Sequence, residues 1–298
     1  MLPSGVLFCC TAKVGAFVCT CHACLPERYD VPDLVWRSKR KLDEANHFAD
    51  MDQKGKGEFA GKTLLQLWEE NPESRTPASW TAFYDSIGVE EDKHRGALPF
   101  RVAQIYEEMV KFVRAKKMAE FVCAAGVLAH YVGDACQPLH VSFLHHGRPN
   151  HPEEKDVHSI YETKMLDQRS AEVVEGVNTT LVGKHATAMT QTGPEAANTI
   201  VDLMKKTIEV LPPMEVIDAF NAEEGGQRIA HMWDVLGERT ITCLSAGSLR
   251  LAEIWESAWK EGGGQHVPGN TLREVDQEAL MALYNDRDFV KSKWLRDM

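Results

Sequence analysis

The feature that most constrains the fold is an almost wholly apolar stretch, Phe121–Asp134, which carries two metal-binding residue types near its end. Apart from His130 and Asp134, the stretch is almost free of polar side chains. Residues four apart lie on one face of a helix, so these two side chains point the same way. A buried helix must pair such residues or use them to bind a metal, because a lone buried charge is costly. The stretch therefore predicts a buried helix with a metal-binding end.

A second pair of metal-binding residue types follows at the same spacing. His158 and Glu162 lie four residues apart, and His140 lies between this pair and the first one. One histidine and one acidic residue at this spacing usually form an ordinary surface pair, but two such pairs on one chain favour a shared site. Imidazole and carboxylate ligands without a thiolate are typical of catalytic rather than structural zinc.

Apolar residues recur every three or four positions along most of the chain, which is typical of amphipathic helices. The predicted helices are Phe100–Ala115, Met118–Asp134, Val157–Leu166, Glu195–Val210 and Thr240–Lys260. Residues 145–152 predict a loop, and Gly262–Gly264 is a helix stop signal. No segment alternates as a strand would. The sequence predicts an all-α fold, a single-domain multi-helix bundle with a zinc cluster at the base of a cleft.

Composition divides the chain into three segments. Residues 1–30 hold five of the eight cysteines and are interpreted as an atypical Cys-rich leader or a mis-assigned start. A zinc knuckle would need a second pair of ligands at finger spacing, which this segment lacks. Residues 31–262 form the helical domain, and residues 263–298 are predicted to be a polar C-terminal tail. No apolar run is long enough to span a membrane. The net charge of −11 argues against a protein that tracks duplex DNA.

Three segments carry a recognisable family pattern: Gly133–His140 with the histidine helix after it, His47–Asp50, and Arg250–Trp259. They resemble the zinc-dependent phospholipase C and single-strand-specific nuclease superfamily over roughly residues 31–262. The central motif is specific, whereas the closing helix is less so.

The resemblance implies seven metal ligands and two to three zinc ions. One zinc ion takes Asp33, His47 and His130, and a second takes His140, His158 and Glu162. Asp134 matches the carboxylate that bridges a first and a third ion, and Asp33 also matches a residue that orients the attacking water. The family's third ion uses an N-terminal tryptophan and an early histidine, and no tryptophan precedes Trp36 here. This departure from the family pattern has three interpretations. The true N-terminus is missing from the sequence, two zinc ions suffice for activity, or the protein no longer catalyses a reaction.

The substrate prediction depends on the nuclease branch of the family. Phe48 and Asp50 match residues that stack on and hydrogen-bond a nucleobase, and Asn150 matches the end of a nuclease loop. Alternatively, Phe48 is a core residue and Asp50 caps a helix. The resemblance also implies a secreted or periplasmic protein, and it leaves the oligomeric state open.

The resulting prediction is a zinc-dependent phosphodiester hydrolase that uses zinc-bound hydroxide, with single-stranded nucleic acid or nucleotides as the favoured substrate. A phospholipase C acting on phospholipid is the first alternative. A non-catalytic, zinc-stabilised helical protein is the second.

Overall fold

Helices dominate the computed structural model, which describes Pro32, Trp36 and residues 41–268 and 277–298. The protein is 70% helical and 2% strand, with no sheet among these residues. The main helices are α1 Leu64–Glu70, α2 Pro77–Ser86, α3 Leu98–Arg114, α4 Met118–Ala135, α5 Ser170–Leu181, α6 Gly193–Val210, α7 Pro213–Ala222, α8 Arg228–Glu261 and α9 Gln277–Asn285. The predicted all-α, single-domain fold is confirmed. Among the described residues, no helix is both long and apolar enough to cross a membrane.

Helix α4 lies at the centre of the fold. It packs against α3, α6, α8 and α9, and nearly all of its side chains are buried. A helix that is apolar on every side avoids water only when other elements surround it. The sequence-based prediction of a buried helix is therefore confirmed, and its polar end reaches the region between several elements.

Helix α8 begins earlier than the predicted segment 240–260, at Arg228. Its first turns pack against α5 and α7 and stay partly exposed. Ile229, Met232, Trp233 and Leu236 recur there at helical spacing, so the sequence carried a helix signal that the predicted segment did not include. The predicted stop is confirmed by Gly263, which follows α8 with a positive φ of 78°, a conformation that favours glycine.

The predicted polar tail is packed on the domain in its described part. Residues 277–298 contain α9, and Leu280, Tyr284, Phe289 and Leu295 are all buried. Charged residues on the outer side of this segment gave it a polar average composition. The buried side chains are spaced along it and face the core.

Two short elements carry His47 and the pair His158 and Glu162. A 3₁₀ helix, Lys41–His47, ends at the first predicted ligand. A composite helix runs through Val157–Ser159, a π-helical turn Ile160–Met165 and Leu166–Gln168. π-Helical turns inside helices are often found at functional sites.

Candidate metal centre

A first group of potential metal ligands lies at the end of α4. His47 Nδ1 is 3.1 Å from Asp134 Oδ2, and His130 Nε2 is 3.1 Å from His47 Nδ1. His130 Nε2 and Asp134 Oδ2 are 3.5 Å apart. Each of these side chains is less than a tenth exposed. The structure thus brings together two of the three ligands predicted for one ion, His47 and His130, with Asp134, which was predicted to bridge two ions. We name these three residues the first metal group.

A second group contains His140, His158 and Glu162, and we name it the second metal group. The two imidazole Nε2 atoms are 3.1 Å apart. Glu162 Oε2 lies 2.7 Å from His158 Nε2 and 3.3 Å from His140 Nε2. The Glu162 side chain is 34% exposed, so this group is the one more accessible from solvent.

The orientation of the two rings in the second metal group fits a cation between them. His140 Nδ1 donates to the backbone oxygen of His47 at 2.7 Å, and His158 Nδ1 donates to that of His145 at 2.9 Å. Carbonyl partners of this kind commonly orient metal-ligating histidines. Both Nε2 lone pairs then face each other, which is unfavourable unless a positive charge lies between them.

The spacing of the donor atoms also fits a metal ion. Ligands about 2.1 Å from one tetrahedral zinc ion lie roughly 3.4 Å from each other. The donor atoms of each group are separated by 2.7–3.5 Å. The residues present can therefore hold a metal ion in each group.

A short backbone pairing joins the two groups. Ala49 N donates to His140 O at 3.0 Å, and Met51 N donates to Val141 O at 3.3 Å. This pairing holds the segment after His47 beside the segment around His140. Asp134 Oδ1 is 3.8 Å from His140 Nδ1, so Asp134 lies between the groups. A bridging role for this carboxylate stays a prediction.

Opposite charges shift the pKa values of both groups. Burial alone lowers the pKa of His47, but the carboxylates of Asp134 and Asp43 raise it to about 10. Burial likewise opposes protonation of His140, whereas Asp134 and Glu162 raise its pKa to about 9. Burial raises the pKa of Glu162, but the positive charge of His140 holds it well below its usual range. The site therefore favours positive charge, either as protons or as metal ions.

The predicted substrate-binding residues fall in two places. Phe48 packs edge-on against His145, with ring centroids 5.0 Å apart, and Asp50 Oδ1 is 3.6 Å from His145 Nε2. These residues adjoin the second metal group, because His145 O accepts the bond from His158. Asn150 instead lies exposed in a turn with a φ of 68°. Asp33, predicted as both ligand and catalytic residue, lies outside the described residues.

Two residues of the site were missed by the sequence analysis. Asp43 is fully buried and lies 3.2 Å from His47 Nε2. Gln137 donates its amide to Glu162 Oε2 at 3.5 Å. The four-residue spacing of Asp43 and His47 was a usable signal, and Gln137 lies in the segment Gly133–His140 that carried the family resemblance.

A third cluster of possible ligands, His151, Glu153 and Glu154, has a structural role. Both oxygens of Glu154 accept hydrogen bonds from Arg148, and Oε1 also accepts one from Asn221 at 2.7 Å. Those bonds hold the loop that follows His145 and His146, and they leave little capacity for a metal.

Comparison with known proteins gives one informative relative. A protein of Bradyrhizobium tropiciagri named as a probable serine protease is 32% identical over 321 aligned positions. The alignment covers 88% of this chain and 40% of the relative, so the chain spans less than half of that protein's length. No family model matches the chain, and no solved structure matches it.

This relative contradicts the function predicted from the sequence. Its name is that of an enzyme, which agrees with the prediction that the chain belongs to an enzyme, but it points to a protease. The prediction of a single-strand nuclease was wrong, and the phospholipase C alternative is corrected with it. The non-catalytic alternative is untested, because the chain covers 40% of the relative. The physical reason for the wrong prediction is that histidine and carboxylate spacing reports the capacity to bind metal. It does not report which bond is cleaved.

The described residues do not contain a serine protease triad at the site. Asp43 contacts both Ser292 and His47, so the carboxylate lies between the serine and the histidine. A catalytic triad needs the histidine in the middle, where it can take the serine proton. Ser292 is also buried, so it cannot reach a substrate.

Proposed function

We propose that the chain carries a metal-dependent hydrolase centre that binds two zinc ions and acts on peptide bonds. The observation that carries this proposal is the pair of facing imidazole nitrogens in each metal group, each pair closed by a carboxylate. Burial and opposite charge make both groups favourable for cations. The name of the relative supports a peptide as the substrate class.

Zinc is proposed because neutral imidazole and carboxylate donors, three to a group, are its usual catalytic ligands. The ions that the two metal groups would hold would supply positive charge to polarise a scissile carbonyl and to lower the pKa of water. The chain supplies the remaining functions. Asp134 and Glu162 contribute the negative charge that attracts the ions, and Gln137 fixes the orientation of Glu162.

The exposure difference between the groups gives them separate roles. The first metal group is nearly closed to solvent, so it anchors the centre, whereas substrate reaches the second group from its exposed side. Phe48 is half-buried next to that side and contacts the substrate, whereas Asp50 is buried behind it. Asp50 Oδ1 is buried without a hydrogen-bond partner among the described residues, so Asp50 lies beneath the surface that a substrate would contact.

The test combines zinc content with proteolysis of fluorescently labelled casein. We expect about two zinc ions per chain and hydrolysis that is lost with a chelator and unaffected by a serine-directed fluorophosphonate. His158→Ala and Glu162→Gln should each lower the rate at least about 100-fold, because they remove part of one metal group. Glu153→Gln is the matched control, since Glu153 is exposed and belongs to the structural cluster.

Two results would contradict the proposal. Hydrolysis that survives chelation and is blocked by the fluorophosphonate would assign activity to a serine nucleophile. Zinc binding without casein hydrolysis, under conditions in which a control metalloprotease is active, would remove the peptidase assignment while leaving the metal centre.

A further inference from the structure

The fully buried carboxylate of Asp43 lies behind the first metal group. Its Oδ2 is 3.2 Å from His47 Nε2, while Nδ1 of the same ring is 3.1 Å from Asp134. His47 therefore has a carboxylate at each nitrogen, and only the Nδ1 side belongs to the metal group. A carboxylate behind a ligating histidine fixes which nitrogen carries the proton and how the ring is turned.

Asp43 is held in place by donors from distant parts of the chain. Tyr131 OH lies 2.8 and 2.9 Å from its two oxygens, and Ser292 Oγ donates to Oδ1 at 2.5 Å. The guanidinium of Arg101 is fully buried, with Nη2 3.8 Å from Oδ1. Burial alone raises the pKa of Asp43, but the bond with His47 and the charge of Arg101 hold it well below its usual range.

A second chain of bonds leads from Arg101 to the same C-terminal segment. Arg101 Nη1 donates to Gln104 Oε1 at 2.7 Å, and Gln104 Nε2 donates to Lys291 O at 2.6 Å. Val290 has a φ of 41°, which a β-branched residue adopts only when packing imposes it. Phe289 supplies such packing by stacking on Phe112 at 5.9 Å.

We propose that Asp43 is a positioning residue that keeps His47 Nδ1 available to a metal ion, and that residues 289–292 hold Asp43 in place through Ser292. This inference rests on the metal binding of the proposed function and is independent of the bond that the centre cleaves. The C-terminal segment thereby completes the metal centre from the side away from solvent.

The geometry predicts what an isosteric change does. In Asp43→Asn, the carbonyl oxygen should remain on the Oδ1 side, where Ser292 and Arg101 present donors. The amide nitrogen then faces His47 Nε2 and donates a hydrogen bond to it, so Nε2 no longer carries the ring proton. The ring proton moves to Nδ1, the nitrogen that has to bind the metal, as happens when a carboxylate that sets a histidine tautomer is replaced by an amide.

The experiment measures zinc and cobalt binding in a His158→Ala background, where the second metal group is disabled. We expect Asp43→Asn to weaken zinc binding to the remaining group by 10- to 100-fold and to change the cobalt absorption spectrum. Ser292→Ala should also weaken zinc binding, but by a smaller factor than Asp43→Asn does. Ser245→Ala is its matched control, because Ser245 is also buried but donates within α8, to Ile241 O.

Unchanged zinc affinity and an unchanged cobalt spectrum in Asp43→Asn would overturn the inference. An equal loss in Ser292→Ala and Ser245→Ala would also overturn the part assigned to the C-terminal segment. Because the readout is metal binding and not hydrolysis, an inactive chain that shows the expected affinities would contradict the proposed peptidase and still support the role of Asp43.

Discussion

Asp50 is a buried carboxyl group with little to stabilise its charge. Burial, opposed only by a hydrogen bond with Tyr84 and reinforced by the nearby charge of Asp52, raises its pKa to about 7. The adjacent His145 has a pKa lowered to about 4, because it is buried and surrounded by other histidines. Between these two pKa values both side chains are neutral, so their 3.6 Å contact is not an ion pair there.

The raised pKa of Asp50 predicts that the folded state loses stability as the pH rises. An acid with a higher pKa when folded binds its proton more tightly in that state. The free energy of unfolding therefore falls between the unfolded pKa near 4 and the folded pKa near 7, and then levels. Three pKa units correspond to about 4 kcal/mol. Asp50→Asn should remove most of this penalty.

Urea unfolding at pH 5 and pH 8 checks this prediction. Asp50→Asn should be more stable than the parent at pH 8, and its advantage should shrink at pH 5. Asp218→Asn changes the same group at an exposed position and should show no such dependence. An advantage of Asp50→Asn that is equal at both pH values would mean that Asp50 is ionised throughout.

The ligand pairs could be predicted from the sequence where both members lie close together along the chain. His158 and Glu162 meet because helical spacing brings them together, and His130 and Asp134 likewise. The local spacing of Asp43 and His47 was a usable signal that was not applied, whereas the contact of Asp43 with Ser292, 249 residues away, leaves no local pattern in the sequence. The cleaved bond was predicted wrongly because the same ligand types serve several hydrolytic reactions.

At the scale of elements, α8 depends on a close approach to the end of α4. A Cβ added at Gly247 would lie 2.6 Å from Cys136 Sγ and 3.2 Å from Cys136 Cβ. Gly133, near the end of α4, has no atom within 4 Å of the same added carbon. Both glycines are helical, so an alanine gains similar helix propensity at each, up to about 1 kcal/mol.

The two alanine variants therefore form a matched pair. Gly133→Ala should be neutral or more stable, whereas Gly247→Ala should be less stable by about 1–3 kcal/mol, because it overpacks the contact between the helices. Thermal and urea unfolding give both values under the same conditions. If Gly247→Ala matched Gly133→Ala, Cys136 could move aside at no cost and the helices would not be fixed by this contact.

The helix boundaries show the same dependence on context. The ends of α4 and α6 were predicted to within about two residues, since apolar periodicity and glycine or proline signals mark them. The beginning of α8 was predicted twelve residues too late, although Ile229, Met232, Trp233 and Leu236 already recur at helical spacing before Thr240. The π-helical turn over Ile160–Met165 has no distinctive sequence pattern, although it belongs to the helix that carries His158 and Glu162.

At the scale of the whole molecule, the two metal groups tie together elements that are far apart in the sequence. The 3₁₀ helix at residues 41–47, α4 and the composite helix at residues 157–168 all contribute ligands. An ion that binds only when these elements are assembled stabilises the assembled state by mass action. Metal removal should therefore destabilise the domain as a unit, with no separate loss of one helix.

This prediction is measured by thermal unfolding with zinc and with a chelator. At a free zinc concentration 100 times the dissociation constant, one site contributes about 2.7 kcal/mol, which corresponds to a rise in Tm of roughly 5 °C for a domain of this size. Helical circular dichroism and tryptophan fluorescence should shift together, because Trp36, Trp80 and Trp255 are buried in one continuous core. His158→Ala should reduce the shift by disabling the second metal group. Two separate transitions after chelation would show that the elements around the metal centre unfold independently of the α3, α4 and α8 core.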